Sequence, residues 1–477
     1  MSLVDRTVWL VERHPVGGAL VVFFVQLGVR SPGLGKSALW LDESLSLLRT
    51  HLSTQQLLRF SATNENPPFY NLVLAAWVDT FGPTEVGARS LSLVASALAG
   101  VLLFLLARRF FSAESAILVS VLYLGSGIVW NYAQEARSYS LVLLLCVASF
   151  YGYFALLARP GGGRAALLAI VNGLAVYTHF TVVLALLWQL PGLLFLRPGR
   201  VAIRWYVASQ VVAAALFAPW LPVVLREAPM ADNHWLGRPG SSDLFDAFVQ
   251  LSGGVAALAL GVAVVVGGAL VLAGRRGEKT RRARAFVLFL WGVVSILLSF
   301  LIAQWMPIFL PRYVLFALPG MLLLLAVMLE SSIRRPILRW AAALLLAVSG
   351  FLHVDASAIP KPDWREVADH VRSVRVGGGP VFVSPPTGCP TFGFYFAPEA
   401  FAGPQRLVRR LRAQGVYCVR EIPDVVRADG ELWREAVLVL KPNSKVDVDA
   451  LARDRGYRIA SKQETDGVWV YSLRRVR

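Results

Sequence analysis

Two adjacent carboxylates, Asp42 and Glu43, stand in Leu39-Trp40-Leu41-Asp42-Glu43-Ser44, just past the first long apolar run of the chain. A carboxylate at the edge of a bilayer can take a proton from a hydroxyl or amine, or help hold a metal. An idle charge at membrane depth is costly, so the pair is a candidate catalytic centre. The plain alternative is two solvated acids at the start of a helix near Ser44.

Other polar clusters interrupt the apolar sequence. In Gln134-Glu135-Ala136-Arg137-Ser138-Tyr139, Arg137 suits a phosphate and Glu135 can orient it or an acceptor. Tyr139 can pack on a lipid or sugar. The same residues also read as an internal ion pair beside an interfacial tyrosine. Arg312 in Pro311-Arg312-Tyr313 is a guanidinium at the mouth of an apolar run, aimed at a phosphate or reaching for lipid headgroups. His179 in Tyr177-Thr178-His179-Phe180 can contact a sugar or phosphate, ligate a metal, or close a helix end. Asn66 lies in Asn64-Glu65-Asn66-Pro67-Pro68-Phe69-Tyr70, a turn that seats a helix and can line a cleft. Asp363-Trp364-Arg365 reads as an N-cap with a possible place near the same cleft.

The elements that carry these residues are mostly apolar. Of 477 residues 56% are hydrophobic and only 16% charged, against about 25% charged in soluble domains. Runs near the length of a bilayer span recur at 15–30, 86–107, 114–130, 139–158, 165–178, 181–196, 204–225, 253–274, 285–304, 313–330 and 336–353. The first is read as a retained anchor, with no cleavage site after it. The net charge of +17 does not indicate a nucleic-acid partner, because the arginines collect in short loops, as in membrane proteins. Reading 67–81 as an interfacial helix rather than a span puts five basic loops on one side. It gives about eleven spans, a cytoplasmic N-terminus and an outer C-terminus. Asp42, Glu43, the 131–139 turn, His179, Arg312 and the tail then share the outer face, with 31–85 a large outer loop.

The predicted domains are 1–353, a transmembrane domain, and 354–477, a small α/β domain outside the membrane. In the tail, 363–373, 404–414 and 446–454 read as helices, and 381–383, 416–419, 436–440 and 468–471 as strands. Cys389 and Cys418 lie on the oxidising side, where a disulfide is open to them, as are two free thiols. Three cysteines without metal spacing argue against structural zinc.

The ordered series formed by the acidic pair, Asn66-Pro67-Pro68-Phe69-Tyr70, Phe81-Gly82, Arg89-Ser90-Leu91-Ser92, the 134–139 motif, Tyr177-Thr178-His179, Pro311-Arg312-Tyr313 and Asp363-Trp364-Arg365 resembles a bacterial GT-C membrane glycosyltransferase. More narrowly, it resembles glycosyltransferase family 39, which holds protein O-mannosyltransferases and the aminoarabinose transferase of lipid A. The resemblance covers about residues 10 to 370 and only loosely the tail. It implies a polyprenyl-phosphate sugar donor, inverting hexosyl or pentosyl transfer, and a site outside the bacterial cytoplasmic (inner) membrane. Asp42 matches the family's loop acid, a catalytic base or acceptor-positioning group. Arg137 and Arg312 fall where donor-phosphate contacts are expected, while Glu135, Tyr139, His179 and Tyr313 count with Asn66 as substrate-binding candidates. Relatives often carry His or Lys where this chain has Asn66, which weakens a metal or phosphate role there.

No cofactor is required by this reading, though a carboxylate pair leaves a divalent metal open. The acceptor can be protein, lipid or glycan, and membrane lipids are obligatory surroundings. Two other readings share the apolar runs: a transporter or flippase of lipid-linked sugars, and a ligase or polymerase using a diphosphate-linked glycan. Transporters usually carry polar groups at the midplane and internal halves, whereas here the acids lie in loops.

Overall fold

The computed structural model describes residues 3–63, 67–227, 237–275, 278–306, 308–354, 361–420, 433–441, 444 and 446–476. Asn66 lies outside the described residues. Two compact units divide the chain. One comprises Met1–Pro32, Leu58–Tyr70 and Arg89–Ala358; the other comprises Gly33–Leu57, Asn71–Ala88 and Ile359–Arg477.

The first unit is helical, and each of the eleven apolar runs falls on helix. Among the described residues, six helices are long and apolar enough to cross a membrane, and eight if each of two bent pairs is one span. The shorter apolar segments Phe180–Leu196 and Pro336–Leu352 stand beside them. The protein is a multi-pass membrane protein. Val201, Val211, Leu216 and Leu225 of the helix Arg200–Arg226 remain exposed, as expected of a surface that meets lipid rather than water.

Basic loops gather at one end of this unit. Arg108 donates to the carbonyls of Val11 and Glu12, and Arg284 to that of Phe110. Arg281 pairs with Glu330 at 3.0 Å, and Arg339 with Glu114 at 3.1 Å. Ser112 and Ser115 also donate to Glu330. Three of the five basic loops that the charge pattern assigns to one side, at 108–115, 279–284 and 330–339, therefore meet.

The two bent pairs are Arg6–Arg13 with Pro15–Arg30, and Ala113–Gly125 with Gly127–Ala133; the second bends by 65°. Glycines allow the second bend to sit against Pro336–Leu352. A Cβ on Gly125 would lie 2.3 Å from the Ala347 carbonyl oxygen, and one on Gly127 2.5 Å from that of Gly350. Only residues without a side chain permit that backbone approach.

The second unit holds a five-stranded sheet. Its strands are β1 (Val381–Ser384), β2 (Val416–Cys418), β3 (Glu435–Leu440), β4 (Tyr457–Thr465) and β5 (Val468–Arg475), in the order β2-β1-β3-β5-β4. β1 is parallel to β2 and β3, whereas β5 is antiparallel to β3 and β4. β1 and most of β3 are buried, as central strands should be. The predicted helices appear as Trp364–Val374, Pro404–Ala413 and Val448–Arg455. The sequence reading omits β4 and the helix Cys389–Phe396. Cys389 and Cys418 form a disulfide, joining that helix to β2.

Segments far apart in sequence build this unit together. Tyr395 accepts from the Leu39 backbone N–H at 2.6 Å and donates to Glu85 at 3.0 Å. Burial pushes its phenol well above the ordinary range, which keeps it a donor. Arg365 pairs with Glu85 at 3.1 Å and donates to the carbonyls of Gly35 and Lys36. Asp363 caps its helix by accepting from the N–H groups of Arg365 and Glu366. The Asp363-Trp364-Arg365 motif thus ties the 33–57 segment to the tail.

Candidate functional site

In the first unit, the 134–139 motif is the turn between the helices Gly127–Ala133 and Tyr139–Ala158. Several bonds fix it. Ser140 donates to the Tyr132 carbonyl at 2.9 Å, and Ser92 to that of Arg137 at 3.2 Å. Gln134 donates to the carbonyls of Arg30 and Pro32 at 2.9 and 2.7 Å. The rings of Tyr132 and Tyr139 meet at 4.7 Å across the turn. Glu135 is buried, and the half-buried Arg137 guanidinium lies 5.9 Å from the Tyr139 ring.

His179 and Arg312 join that turn from two other places in the chain. His179 ends the helix Gly162–Thr178 in extended backbone conformation. Arg312 and Tyr313 open the 3₁₀ segment Pro311–Ala317, where Pro311 presets the first turn. The His179 ring lies 6.1 Å from that of Tyr139 and 5.6 Å from that of Tyr313. The Arg312 guanidinium sits 5.2 Å from the Tyr313 ring, within hydrogen-bonding reach of the hydroxyls of Tyr132 and Tyr313. Thr181 completes the cluster, 2.8 Å from His179 Nδ1 and donating to the Tyr313 carbonyl at 3.0 Å. Burial, helped by the charges of Arg137 and Arg312, holds the His179 imidazole down to about 4. It is therefore neutral at ordinary pH.

The structure thus brings together Glu135, Arg137, Tyr139, His179, Arg312 and Tyr313 from three separate sequence motifs. Two guanidiniums among phenols and a neutral imidazole suit an anion that also carries hydroxyls. Tyr132 and Thr181 belong to the cluster without having been singled out. The spacing of Thr181 two residues after His179 is the signal that could have found it.

Arg30 was also missed. It is wholly buried at the end of Pro15–Arg30, bonded to Gln26, Ser96 and the Tyr123 carbonyl. It thereby caps the broken end of Ala113–Gly125, where a cation complements the orphaned carbonyls.

An apolar cavity of about 460 Å³ lies in the same unit, lined among others by Phe245, Leu251, Val262, Phe289, Leu322 and Leu346. The helix Ser241–Ser252, which supplies part of that wall, packs against the 3₁₀ segment of Arg312 and against Gly127–Ala133.

In the second unit, Asp42 and Glu43 open the helix Leu41–Thr50, where negative charge is favoured. Their situations differ. Glu43 is fully buried, accepts from the Trp40 N–H at 3.3 Å and lies 3.9 Å from the Lys361 ammonium. Asp42 is half-buried, and its carbonyl accepts from Ser46 at 2.8 Å. Among the described residues, no three His, Cys, Asp or Glu side chains gather as a metal site.

Residues 65–222 match the family model described as dolichyl-phosphate-mannose-protein mannosyltransferase. No curated protein matches the chain in sequence. Solved structures share its fold. The crystal structure of ArnT from Cupriavidus metallidurans in the apo state is 15% identical, with 96% of each chain covered and a TM-score of 0.61. The same protein bound to undecaprenyl phosphate is 16% identical, with 96% of this chain and 97% of that one covered and a TM-score of 0.60. The archaeal oligosaccharyltransferase AglB from Archaeoglobus fulgidus, in complex with an inhibitory peptide and a dolichol-phosphate, is 12% identical. It covers 96% of this chain and 74% of its own, with a TM-score of 0.51. The chain therefore shares the fold of these membrane proteins, and its residues 65–222 resemble the dolichyl-phosphate-mannose-protein mannosyltransferase family.

Proposed function

We propose that the protein is an inverting glycosyltransferase that moves a sugar from a polyprenyl-phosphate donor to an acceptor at the outer face of the bacterial cytoplasmic membrane. The observation that carries this reading is the convergence of Arg137, Tyr139, His179, Arg312 and Tyr313 on one cluster. Arg137 and Arg312 hold the phosphate, and the apolar cavity receives part of the polyprenyl chain. The match at 65–222 and the lipid phosphate of the ArnT complex support the donor class.

Asp42 takes the proton from the acceptor hydroxyl or amine as its lone pair attacks the anomeric carbon. The bond from that carbon to the phosphate oxygen breaks on the opposite face, and polyprenyl phosphate leaves with the electron pair. The arginines neutralise the charge that develops there. Glu43 supports Asp42 by anchoring the helix start. In this reading the eleven apolar runs are the spans, with the basic loops in the cytoplasm. The proposed domains are 1–353, the transmembrane glycosyltransferase domain with Asp42 and Glu43 in its outer loop 31–85, and 354–477, an α/β domain outside the membrane.

The test is transfer from labelled polyprenyl-phosphate sugars in membranes holding wild type or Asp42→Asn. Consumption of one donor by wild type alone is the expected result, and the labelled product identifies the acceptor. No consumption of any monophosphate donor by well-expressed wild type would reject the reading in favour of diphosphate-linked donors or transport.

A further inference from the structure

Thr181 fixes which nitrogen of His179 carries hydrogen. A threonine hydroxyl has one proton to give. Oγ1 of Thr181 lies 3.0 Å from the Tyr313 carbonyl, which can only accept, and 2.8 Å from His179 Nδ1. The proton goes to the carbonyl, so Oγ1 turns a lone pair to Nδ1, and Nδ1 must donate. A neutral imidazole has a single N–H, so Nε2 bears a lone pair. Arg137 and Arg312 are the charged groups that face the ring, and both oppose a second proton. Tyr139 and Tyr313 flank it, and the Thr181 bond sets its rotation.

A nitrogen lone pair is repelled by a phosphate oxygen and attracted to an O–H. Resting on the donor class proposed above, we infer that His179 is a specificity-determining residue whose Nε2 accepts a hydrogen bond from one hydroxyl of the donor sugar, while Arg137 and Arg312 hold the phosphate. The imidazole then reads the sugar, and the guanidiniums read the group that every such donor shares. A deoxy sugar at that position loses the hydrogen bond to Nε2, which costs roughly 10- to 100-fold.

The experiment compares one accepted donor with analogues lacking a single hydroxyl each. Wild type should lose roughly 10- to 100-fold in kcat/KM for one analogue. His179→Asn keeps a donor toward Thr181 and has no atom at the Nε2 position. It should treat that analogue and the parent alike, with unchanged affinity for undecaprenyl phosphate. His179→Gln, whose amide oxygen reaches further, should restore part of the discrimination. Equal losses for every donor in His179→Asn, or weakened binding of undecaprenyl phosphate, would overturn the inference. Transfer with unchanged discrimination would overturn it alone, leaving the proposed function intact, whereas no transfer from any donor by wild type would remove both. The ring can also be read without turnover. The ¹⁵N spectrum of histidine-labelled protein should show a protonated Nδ1 and a pyridine-type Nε2 at His179, and the opposite tautomer would reject the assignment.

Discussion

Arg30 and Arg312 belong to the same helical unit and both end up among tyrosines, but they are used differently. Arg30 is wholly enclosed, and its donors go to Gln26, Ser96 and a carbonyl at the broken end of a helix. Arg312 is half-buried beside the hydroxyls of Tyr132 and Tyr313, with Arg137 serving the same cluster. The second unit repeats the contrast within two adjacent residues. Glu43 is enclosed against Trp40 and Lys361, while its neighbour Asp42 is half-buried. A charge enclosed by backbone partners serves the fold. A half-buried charge beside groups that can exchange partners is the better candidate for substrate.

The largest effect should separate the acids. Asp42→Asn should lower transfer by about 10²- to 10⁴-fold, the usual worth of a general base, with unchanged thermal stability. Glu43→Gln should instead lower the melting temperature, because the buried Glu43 charge no longer faces the Lys361 ammonium. The reverse pattern, a stable but inactive Glu43 variant beside an active Asp42 variant, would exchange their roles. The arginines come next. Arg30→Met should destabilise the protein by about 3–5 kcal/mol, as when one side of a buried polar network is removed. Arg312→Ala should leave the melting temperature nearly intact and weaken donor binding by roughly 10- to 100-fold. Similar melting temperatures for the two variants would erase the distinction drawn here.

Much of this was legible in the sequence, because apolar run length and loop charge are local properties. Each of the eleven runs falls on helix, and the basic loops at 108–115, 279–284 and 330–339 meet. The motifs at 135–139, 179 and 312–313 were legible as chemistry, though nothing in their spacing says that they converge. Arg30 was not legible: a lone arginine at the end of a span looks like one reaching for lipid, and its partners Ser96 and Tyr123 are remote in sequence. β4 was missed because an edge strand needs few apolar residues. Its exposed Arg458, Lys462 and Glu464 alternate with half-buried Ser461 and Gln463, a polar stretch that carries no apolar strand signal. Tyr395 was missed too, since its role depends on Leu39 and Glu85, more than 300 positions away.

The smallest effect sharpens the comparison most finely, because it asks whether burial and the charges of Arg137 and Arg312 keep His179 neutral. Its imidazole is held down to about 4, whereas an unfolded histidine titrates near 6.5. Above pH 6.5 both states are neutral and stability does not respond. As pH falls below 6.5, the unfolded chain takes up the proton first, so the folded state loses ground until about pH 4. The loss at pH 6 is at most about 0.8 kcal/mol. Melting curves of wild type and His179→Asn at pH 8 and pH 6 isolate that term: wild type should lose slightly more stability than the variant. Replacing Arg312 by alanine should shrink the difference, because one of the charges opposing protonation is gone. A wild-type protein that gains stability on acidification, relative to the variant, would mean that His179 charges readily in the folded state. The guanidiniums would then be turned away from it, and the cluster would not be the anion site proposed for it.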